Sequence, residues 1–294
     1  MNAFMTAPRY LLRPLELWRK RHKILLWRRL SYTLIQKLNL QERFKVRYYG
    51  AYFHPFPTSL SLALWLFREQ FRSQDLQLLL ELMRPGDTFV DIGANIGTHS
   101  ICLAARLGST TQVYSFEPHP QIFGYMLKNI DINNIKNIHP FNVALGESEG
   151  TILISNYRLD DRNHVASPNE QGAVSIPMKT LDSFQCALNG LPTIKIDVEG
   201  YELPILKGGE RTLSRGRFLY IEVGDRHSLR FGYSAQQLME FLYQTGWRMF
   251  RFEEQKHLVE VTPHYHPPDV ENLVCARSPE ELMKRLKTYT VQMR

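Results

Sequence analysis

Three carboxylates, Asp197, Glu199 and Glu222, stand at the ends of two short apolar runs in the second half of the chain. Asp197 closes the run 193–197, Glu199 follows two residues on, and Glu222 lies near the end of the run 218–223. If both runs are neighbouring parallel strands, the three acids converge at one sheet edge, where open α/β sheets bind their ligands. Like charges held together raise one another's pKa, which can prepare a general base. The same oxygens suit a divalent cation. We take Asp197 as the base or as an electrostatic group, with Glu199 and Glu222 as further catalytic candidates and no metal assigned. The plainer readings are that Glu199 pairs with Lys195 or Lys207, and that Asp197 caps a turn.

A second constellation precedes these acids. Residues 91–98 read Asp-Ile-Gly-Ala-Asn-Ile-Gly-Thr after a strand-like run at 88–92. Gly93 and Gly97 let the chain turn tightly and bring its backbone close to a ligand, and the helix that follows offers free N–H groups. The dinucleotide fingerprint is G-x-G-x-x-G, whereas this loop is D-x-G-x-N-x-G. Asp91 at its entrance would repel a pyrophosphate but not a cofactor carrying an ammonium and a sulfonium. The next strand-like run, 112–116, leads into Glu117-Pro118. A carboxylate at that strand tip can accept hydrogen bonds from both ribose hydroxyls, which indicates a nucleoside without choosing the cofactor.

These groups need a scaffold, and the hydrophobic pattern supplies one. Strand-like runs fall at 88–92, 112–116, 138–143, 193–197 and 218–223, with 247–252 and 272–275 as the last two. Helical periodicity occupies 96–106, 122–130 and 202–213. A further helix at 235–245 is marked by a capping box, Ser234 with Gln237, and by a stop at Gly246. Alternation of this kind predicts βαβ units and a Rossmann-like α/β fold with a mostly parallel sheet. The stretch 150–180 departs from it, with strands at 151–154 and 174–178 around a polar loop that carries Tyr157, Arg158, Asp160, Asp161, Arg162, Asn163 and His164. Residues 51–86 read as helical, with Leu76, Leu79, Leu80 and Met83 on one face behind Ser73.

The net charge of +7 is divided unequally: residues 1–50 carry +10 and the remaining 244 carry −3. We therefore divide the chain into a basic amphipathic extension, 1–50, and a catalytic domain, 51–294. Trp18, Trp27, Leu30, Leu34 and Leu38 accompany the cations, a composition suited to an anionic membrane surface contacted through residues 9–40. Packing against the domain, or a polyanion, would use similar residues, but nothing elsewhere resembles a nucleic-acid module. No apolar run approaches the roughly 18 residues that span a bilayer, and no signal-peptide pattern is visible. Cys102, Cys186 and Cys275 form no C-x-x-C pair, so neither a disulfide framework nor a thiolate zinc site is expected. A cytoplasmic protein, peripheral to the membrane, fits these features. His264 and His266 form an H-x-H pair within a proline-rich stretch and read as a surface loop rather than a metal site.

Four blocks occur in order: residues 91–97, Phe116-Glu117-Pro118, Asn142-Val143-Ala144-Leu145-Gly146, and Ile194-Lys195-Ile196-Asp197-Val198-Glu199-Gly200-Tyr201-Glu202. Together they resemble the FkbM-type methyltransferases, within the class I S-adenosylmethionine enzymes, over about residues 45–252. The resemblance implies a seven-stranded sheet whose last strand is antiparallel, and O-methylation of sugar, glycolipid or natural-product hydroxyls. It implies S-adenosyl-L-methionine as cofactor, leaving S-adenosyl-L-homocysteine. Asp91, Gly93, Asn95 and Gly97 would then serve the methionine part, Glu117 with Pro118 the ribose, and Asn142, Val143 and Ala144 the adenine, with Asp197 at the methyl. Many members carry His-Pro after the fifth strand. Here the segment is Glu222-Val223-Gly224-Asp225-Arg226-His227, so His227 would act from a shifted place. An NAD-dependent oxidoreductase and a non-catalytic membrane-associated nucleoside-binding scaffold are the competing classes. The former lacks its glycine fingerprint, and the intact loop, Glu117 and Asp197 argue against the latter.

Overall fold

The structure, a computed structural model, describes residues 9–68, 73–156, 164–166, 170–184 and 190–293. The chain opens with helix α1 (Arg9–Lys37), hairpin strands β1 (Val46–Tyr48) and β2 (Ala51–Phe53), and helices α2 (Ser59–Phe67) and α3 (Gln74–Leu82). Thr58 and Ser73 cap α2 and α3 by accepting from the third residue on, as such side chains do at helix starts. Residues 51–53, expected in a helical zone, are a strand, because Ala51 and Phe53 alternate with Tyr52 and bury against the main core. The turn at Tyr49-Gly50, both at positive φ, joins two strands of one core, so the packing crosses residue 50 without a break. One face of α1 is docked through buried Tyr32 and Ile35, and Tyr32 Oη donates to the Phe56 and Thr58 carbonyls.

The remaining elements alternate as the periodicity predicts. In order they are β3 (Thr88–Ile92), α4 (Thr98–Leu107), β4 (Gln112–Phe116), α5 (Pro120–Ile132), β5 (Ile138–Phe141), β6 (Ala144–Leu145), β7 (Gly150–Ile154), β8 (Val174–Lys179), β9 (Thr193–Ile196), α6 (Glu202–Lys207), α7 (Glu210–Ser214) and β10 (Phe218–Val223). After these come α8 (Asp225–Ser228), α9 (Ala235–Gln244), β11 (Arg248–Glu254), β12 (His257–Val261), β13 (Glu271–Ala276), α10 (Pro279–Arg285) and β14 (Thr290–Gln292). The main sheet runs β14-β12-β11-β13-β10-β9-β3-β4-β5. Strands β5, β4, β3, β9 and β10 are mutually parallel, and β13 is antiparallel to both its neighbours. β6, β8 and β7 form a separate small sheet.

The expected seven strands are present, with β13 as the antiparallel one, but the sheet has nine. β12 folds back on β11 through Gln255-Lys256, with Lys256 at φ +65°, and β14 covers β12. Together they cover an edge that would otherwise expose unpaired backbone. Two further expectations are corrected. The strand expected at 138–143 ends at Phe141 as β5, and β6 follows at Ala144–Leu145 in the other sheet. The helix at 202–213 breaks at Gly208-Gly209, where a Cβ on Gly208 would lie 1.9 Å from the Gly146 carbonyl oxygen.

Alternate residues of each strand serve the two faces of the sheet. Phe89, Phe218 and Tyr220 pack with α3, α4 and the β1–β2 hairpin, while Val90, Ile92, Leu219 and Ile221 pack with α6 and α9. A polar row interrupts the first face, since Ser115, Asp91, Lys195 and Tyr220 stand in register across β4, β3, β9 and β10. All four are buried, Lys195 at 1% exposure. Its Nζ is 3.0 Å from Asp197 Oδ2 and 3.9 Å from Asp91 Oδ1, and Ser100 Oγ lies 2.6 Å from Asp91 Oδ2. Burial alone would drive the ammonium towards neutrality, but Asp197 and Asp91 more than offset this and raise its pKa.

Removing one partner from such a cluster leaves uncompensated charge in the interior, which typically costs about 3–5 kcal/mol. Lys195→Met is therefore expected to lower the urea midpoint by the equivalent of that loss. A midpoint within error of the parent would show that the row adds nothing to stability.

Candidate active site

The glycine loop is pressed against the end of β9. Gly93 has φ +77°, and a Cβ there would sit 1.9 Å from the Asp197 carbonyl oxygen, so only glycine fits. Asn95 is also left-handed, at φ +55°, and its Oδ1 accepts from the Ile96 N–H at 2.6 Å. A Cβ on Gly97 would come within 3.0 Å of Met126 and Ile101, so this glycine lets α4 close on α5. These positive-φ residues delay the helix to Thr98, two residues later than the periodicity indicates.

Glu117 is 7% exposed and fully committed in orientation. Its Oε2 accepts from the Asn95 N–H and its Oε1 from the His119 N–H, both at 2.9 Å. The plane of the carboxylate is thereby fixed, and a carboxylate oxygen can accept more than one hydrogen bond. Asn142 Nδ2 donates to the Glu117 and Pro118 carbonyls at 2.9 Å, tying the end of β5 to the end of β4.

A cleft of 480 Å³ opens at the carboxyl ends of these strands. Among the predicted residues, Gly93, Asn95, Glu117, Pro118, Val143, Ala144, Asp197 and Glu199 line it. Asp91, Gly97, Asn142 and Glu222 stand behind its wall, as buried ion partner, helix contact, strand tie and second layer respectively. Phe116, Ile122, Leu145 and Ile205 supply apolar surface suited to an aromatic base. Sequence reasoning did not anticipate the far walls: Ser59, Leu60 and Ala63 of α2, and Ile154 and Val165 by the small sheet. His164 of the polar loop also lines the cleft, whereas Tyr157, Arg158, Asp160, Asp161, Arg162 and Asn163 lie outside the described residues.

The block 194–202 forms one unit. Ile194 and Ile196 enter the core and Lys195 the polar row. The chain then turns through Glu199 at φ +57° and Gly200 at φ +104°, where a Cβ would lie 2.4 Å from the His227 carbonyl oxygen. Glu202 closes the turn by accepting from the Val198 and Gly200 N–H groups, and Tyr233 Oη donates to the Gly200 carbonyl at 2.6 Å. Burial raises the Glu202 carboxyl to about 7. A non-glycine residue held at positive φ marks local strain, a frequent feature of functional sites.

Glu199 and Glu222 meet at His227. The imidazole Nδ1 lies 3.3 Å from Glu199 Oε2 and 3.2 Å from Glu222 Oε2. Lys195 therefore pairs with Asp197 rather than Glu199, and Lys207 pairs with Glu147. Glu222 is pushed up to about 9 by burial and then by the negative charges of Asp197, Glu202 and Glu199, so it holds its proton at neutral pH. Burial, with Arg230 and Arg226, lowers the pKa of His227. One atom each of Glu199, Glu222 and His227 lies within 4.8 Å of the others, a set that could hold a divalent cation. His264 and His266 are exposed on the loop after β12.

Residues 91–251, more than half of the chain, match the methyltransferase FkbM domain. The hexuronic acid methyltransferase AglP of Haloferax volcanii is 30% identical over 165 residues, covering 54% of this chain and 66% of that protein. The 2-O-methyltransferase NoeI of Sinorhizobium fredii is 26% identical over 169 residues, covering 51% and 68%. The chain thus spans just under two thirds of the length of the first relative. A solved structure, methyltransferase FkbM from Methylobacillus flagellatus, is similar at 20% identity with a TM-score of 0.42, covering 66% of this chain and 44% of that one.

The Glu222 shift has a consequence for stability. Its folded-state pKa lies above the ordinary 4.5, so the folded protein retains a proton that the unfolded chain releases. Glu222 therefore has no effect at pH values below the ordinary pKa and becomes progressively destabilising as pH rises towards about 9. Glu222→Gln is expected to melt above the parent by a margin that widens over this interval and vanishes in acid. A constant margin in calorimetric scans would contradict the assignment.

Proposed function

The chain belongs to the FkbM methyltransferase family, and we propose that it transfers a methyl group from S-adenosyl-L-methionine to a hydroxyl oxygen of a sugar or glycolipid. The observation that carries this reading is Glu117, a ribose-type acceptor fixed by two backbone N–H groups beside the glycine loop. The donor set fits such a cofactor: Glu117, Asp197 and Glu199 line the cleft, and buried Asp91 Oδ1 has no hydrogen-bond donor. An acidic wall suits ammonium, sulfonium and a ribose diol, and opposes the pyrophosphate of a dinucleotide. When bound, the cofactor supplies an electrophilic methyl group.

The chain's own contribution is position and proton transfer. Placing the acceptor oxygen and the methyl on one axis can supply on the order of 7–11 kcal/mol. Asp197, anchored by Lys195 on one oxygen, presents negative charge to the cationic end of the cofactor. Glu199 lines the cleft and takes the proton of the attacking hydroxyl, with His227 behind it and Glu222 in the second layer. A sugar acceptor is supported by the relatives named for hexuronic acid and 2-O methylation. The test is calorimetric titration with S-adenosyl-L-homocysteine and NAD, followed by single-turnover transfer to a panel of sugars and uronic acids. Glu117→Ala should weaken S-adenosyl-L-homocysteine at least about 10-fold, and Glu199→Gln should slow transfer about 10²-fold while leaving binding intact. Binding of NAD alone would favour an oxidoreductase, and binding without transfer a scaffold.

The partner of α1 belongs to the same reading. Opposite the docked Tyr32 and Ile35, Trp27 is 70% exposed, and Leu30, Leu34 and Leu38 are each more than half exposed. Exposed Lys23, Arg29 and Lys37 flank this stripe, and no helix among the described residues is long and apolar enough to cross a membrane. Of the basic run, the side chains before Lys23, Trp18 among them, lie outside the described residues. Basic and aromatic residues around an apolar stripe suit the surface of an anionic bilayer. Because α2 packs on α1 and also lines the cleft, a lipid-linked acceptor would reach the site from that surface. The protein is expected to sediment with anionic vesicles at low salt, and Trp27→Ser with Leu34→Ser should abolish this without lowering Tm. Sedimentation unaffected by the substitutions would remove the membrane from the proposal.

A further inference from the structure

We propose that a second pocket, between α1, β1 and the end of α2, binds the phosphate of a phosphate-linked acceptor whose sugar reaches the cleft. The proposal rests on the methyl-transfer reading above and adds to it the anionic group by which the acceptor is held.

The pocket measures 600 Å³, and its cations are Arg28 of α1, Lys45 and Arg47 at β1, and Arg68 at the end of α2. Phe44, Trp65 and Phe67 supply rings, and no acid is among its described lining residues. Among the described residues no carboxylate pairs with Arg28, Lys45 or Arg68. Lys45 and Arg68 lie instead over aromatic rings, Lys45 Nζ at 4.9 Å from the Tyr52 centroid and the Arg68 guanidinium at 6.0 Å from that of Trp65. Arg28 is half-buried, and its Nη1 donates to the Leu66 carbonyl at 2.6 Å, which orients the guanidinium and leaves its other donors for a ligand. The wall behind it is fixed, because buried Trp65 donates through Nε1 to the Arg28 carbonyl at 2.9 Å and meets Phe44 edge-on. Burial and then the charge of Arg68 lower the Arg28 pKa, as expected where cations gather without a counter-ion. An anion with several acceptor oxygens would offset that repulsion, and guanidinium groups match phosphate oxygens in geometry as well as charge.

Charge separates this pocket from the cleft. Glu117, Asp197 and Glu199 line the cleft and oppose a phosphate there. One face of α2 joins the two sites: Leu60 and Ala63 line the cleft, Phe67 lines the pocket, and residues at this spacing share one side of a helix. The rise of an α-helix sets Phe67 about 6–10 Å along the axis from those two residues. A phosphate seated among the cations therefore puts a sugar linked to it next to the cleft, with one end of the acceptor held by basic groups and the other facing the acids.

The test titrates the full chain with inorganic pyrophosphate at low salt and compares methyl transfer to free sugars and to sugar 1-phosphates. Lys45→Gln combined with Arg68→Gln removes two exposed cations and leaves the Arg28 contacts between α1 and α2 in place. The double variant is expected to bind pyrophosphate at least about 10-fold more weakly, to keep S-adenosyl-L-homocysteine affinity within about two-fold, and to melt with the parent. The parent should show a KM for sugar 1-phosphates at least about 10-fold below that for the free sugars, and the variant should lose this advantage with kcat unchanged. Pyrophosphate binding that survives the substitutions would overturn the proposal, as would a parent that does not prefer phosphorylated acceptors. Vesicles of phosphatidylcholine with phosphatidylglycerol test the other source of phosphate. If the variant no longer sediments with them while sugar 1-phosphates hold no advantage, the pocket serves the bilayer and the acceptor assignment is overturned. If pyrophosphate binds but neither S-adenosyl-L-homocysteine binding nor transfer is found, the methyl-transfer reading has failed first and the acceptor role falls with it.

Discussion

A lysine ammonium at 1% exposure in the middle of a parallel sheet constrains much of what surrounds it. Lys195 cannot be buried charged unless carboxylates meet it, and the register of β3 against β9 places Asp91 directly opposite. Asp197 supplies the second partner from the strand's own end. The ammonium thereby fixes the backbone of the turn that carries Asp197 and Glu199, and Gly93 must lack a side chain to admit that turn. Buried ion clusters of this kind contribute modestly to net stability, because desolvation offsets much of the attraction. Their effect here is on geometry, since a shift of either strand would leave charge unpaired.

The same region holds features that a stability optimum would avoid. Glu199 stands at positive φ, Glu222 keeps a proton far above its ordinary range, and Glu202 is buried and partly neutralised. Each is tolerated because neighbouring contacts fix the turn, notably Tyr233 on Gly200 and the close approach of the His227 carbonyl. Strain and shifted titration gather at the carboxyl ends of β9 and β10, the edge at which the proposed chemistry is placed.

The elements before residue 91 contribute to the cleft and to the core beneath it. α2 supplies a wall of the cleft, Asp75 of α3 pairs with His99, which lines it, and the β1–β2 hairpin shares the core beneath them. α1 faces two ways: its docked side belongs to the core, and its exposed stripe is apolar and flanked by lysine and arginine.

The sequence by itself determined the alternation of strands and helices, the glycine loop and the acid at the tip of β4. Local rules govern these features: period-two and period-3.6 burial, caps such as Ser234, and turns that only Gly or Asn accommodates. Within the block 194–202 the plainer reading offered Lys195 or Lys207 as a partner for Glu199, whereas Lys195 pairs with Asp197 and Lys207 with Glu147. Only the cross-strand register shows that the ammonium faces Asp91, although a lysine between Ile194 and Ile196 in a buried strand was a signal. Tertiary structure alone decided that β12 and β14 widen the sheet, because edge pairing is non-local and leaves little trace in short runs. It alone brought Asp75 of α3 to His99 of α4 and the wall of α2 to the cleft, across sequence separations of 24 or more. The carboxylates are likewise divided by depth, with Asp197 and Glu199 at the cleft and Glu222 behind, and burial is a property of the packed molecule that spacing along a chain does not encode.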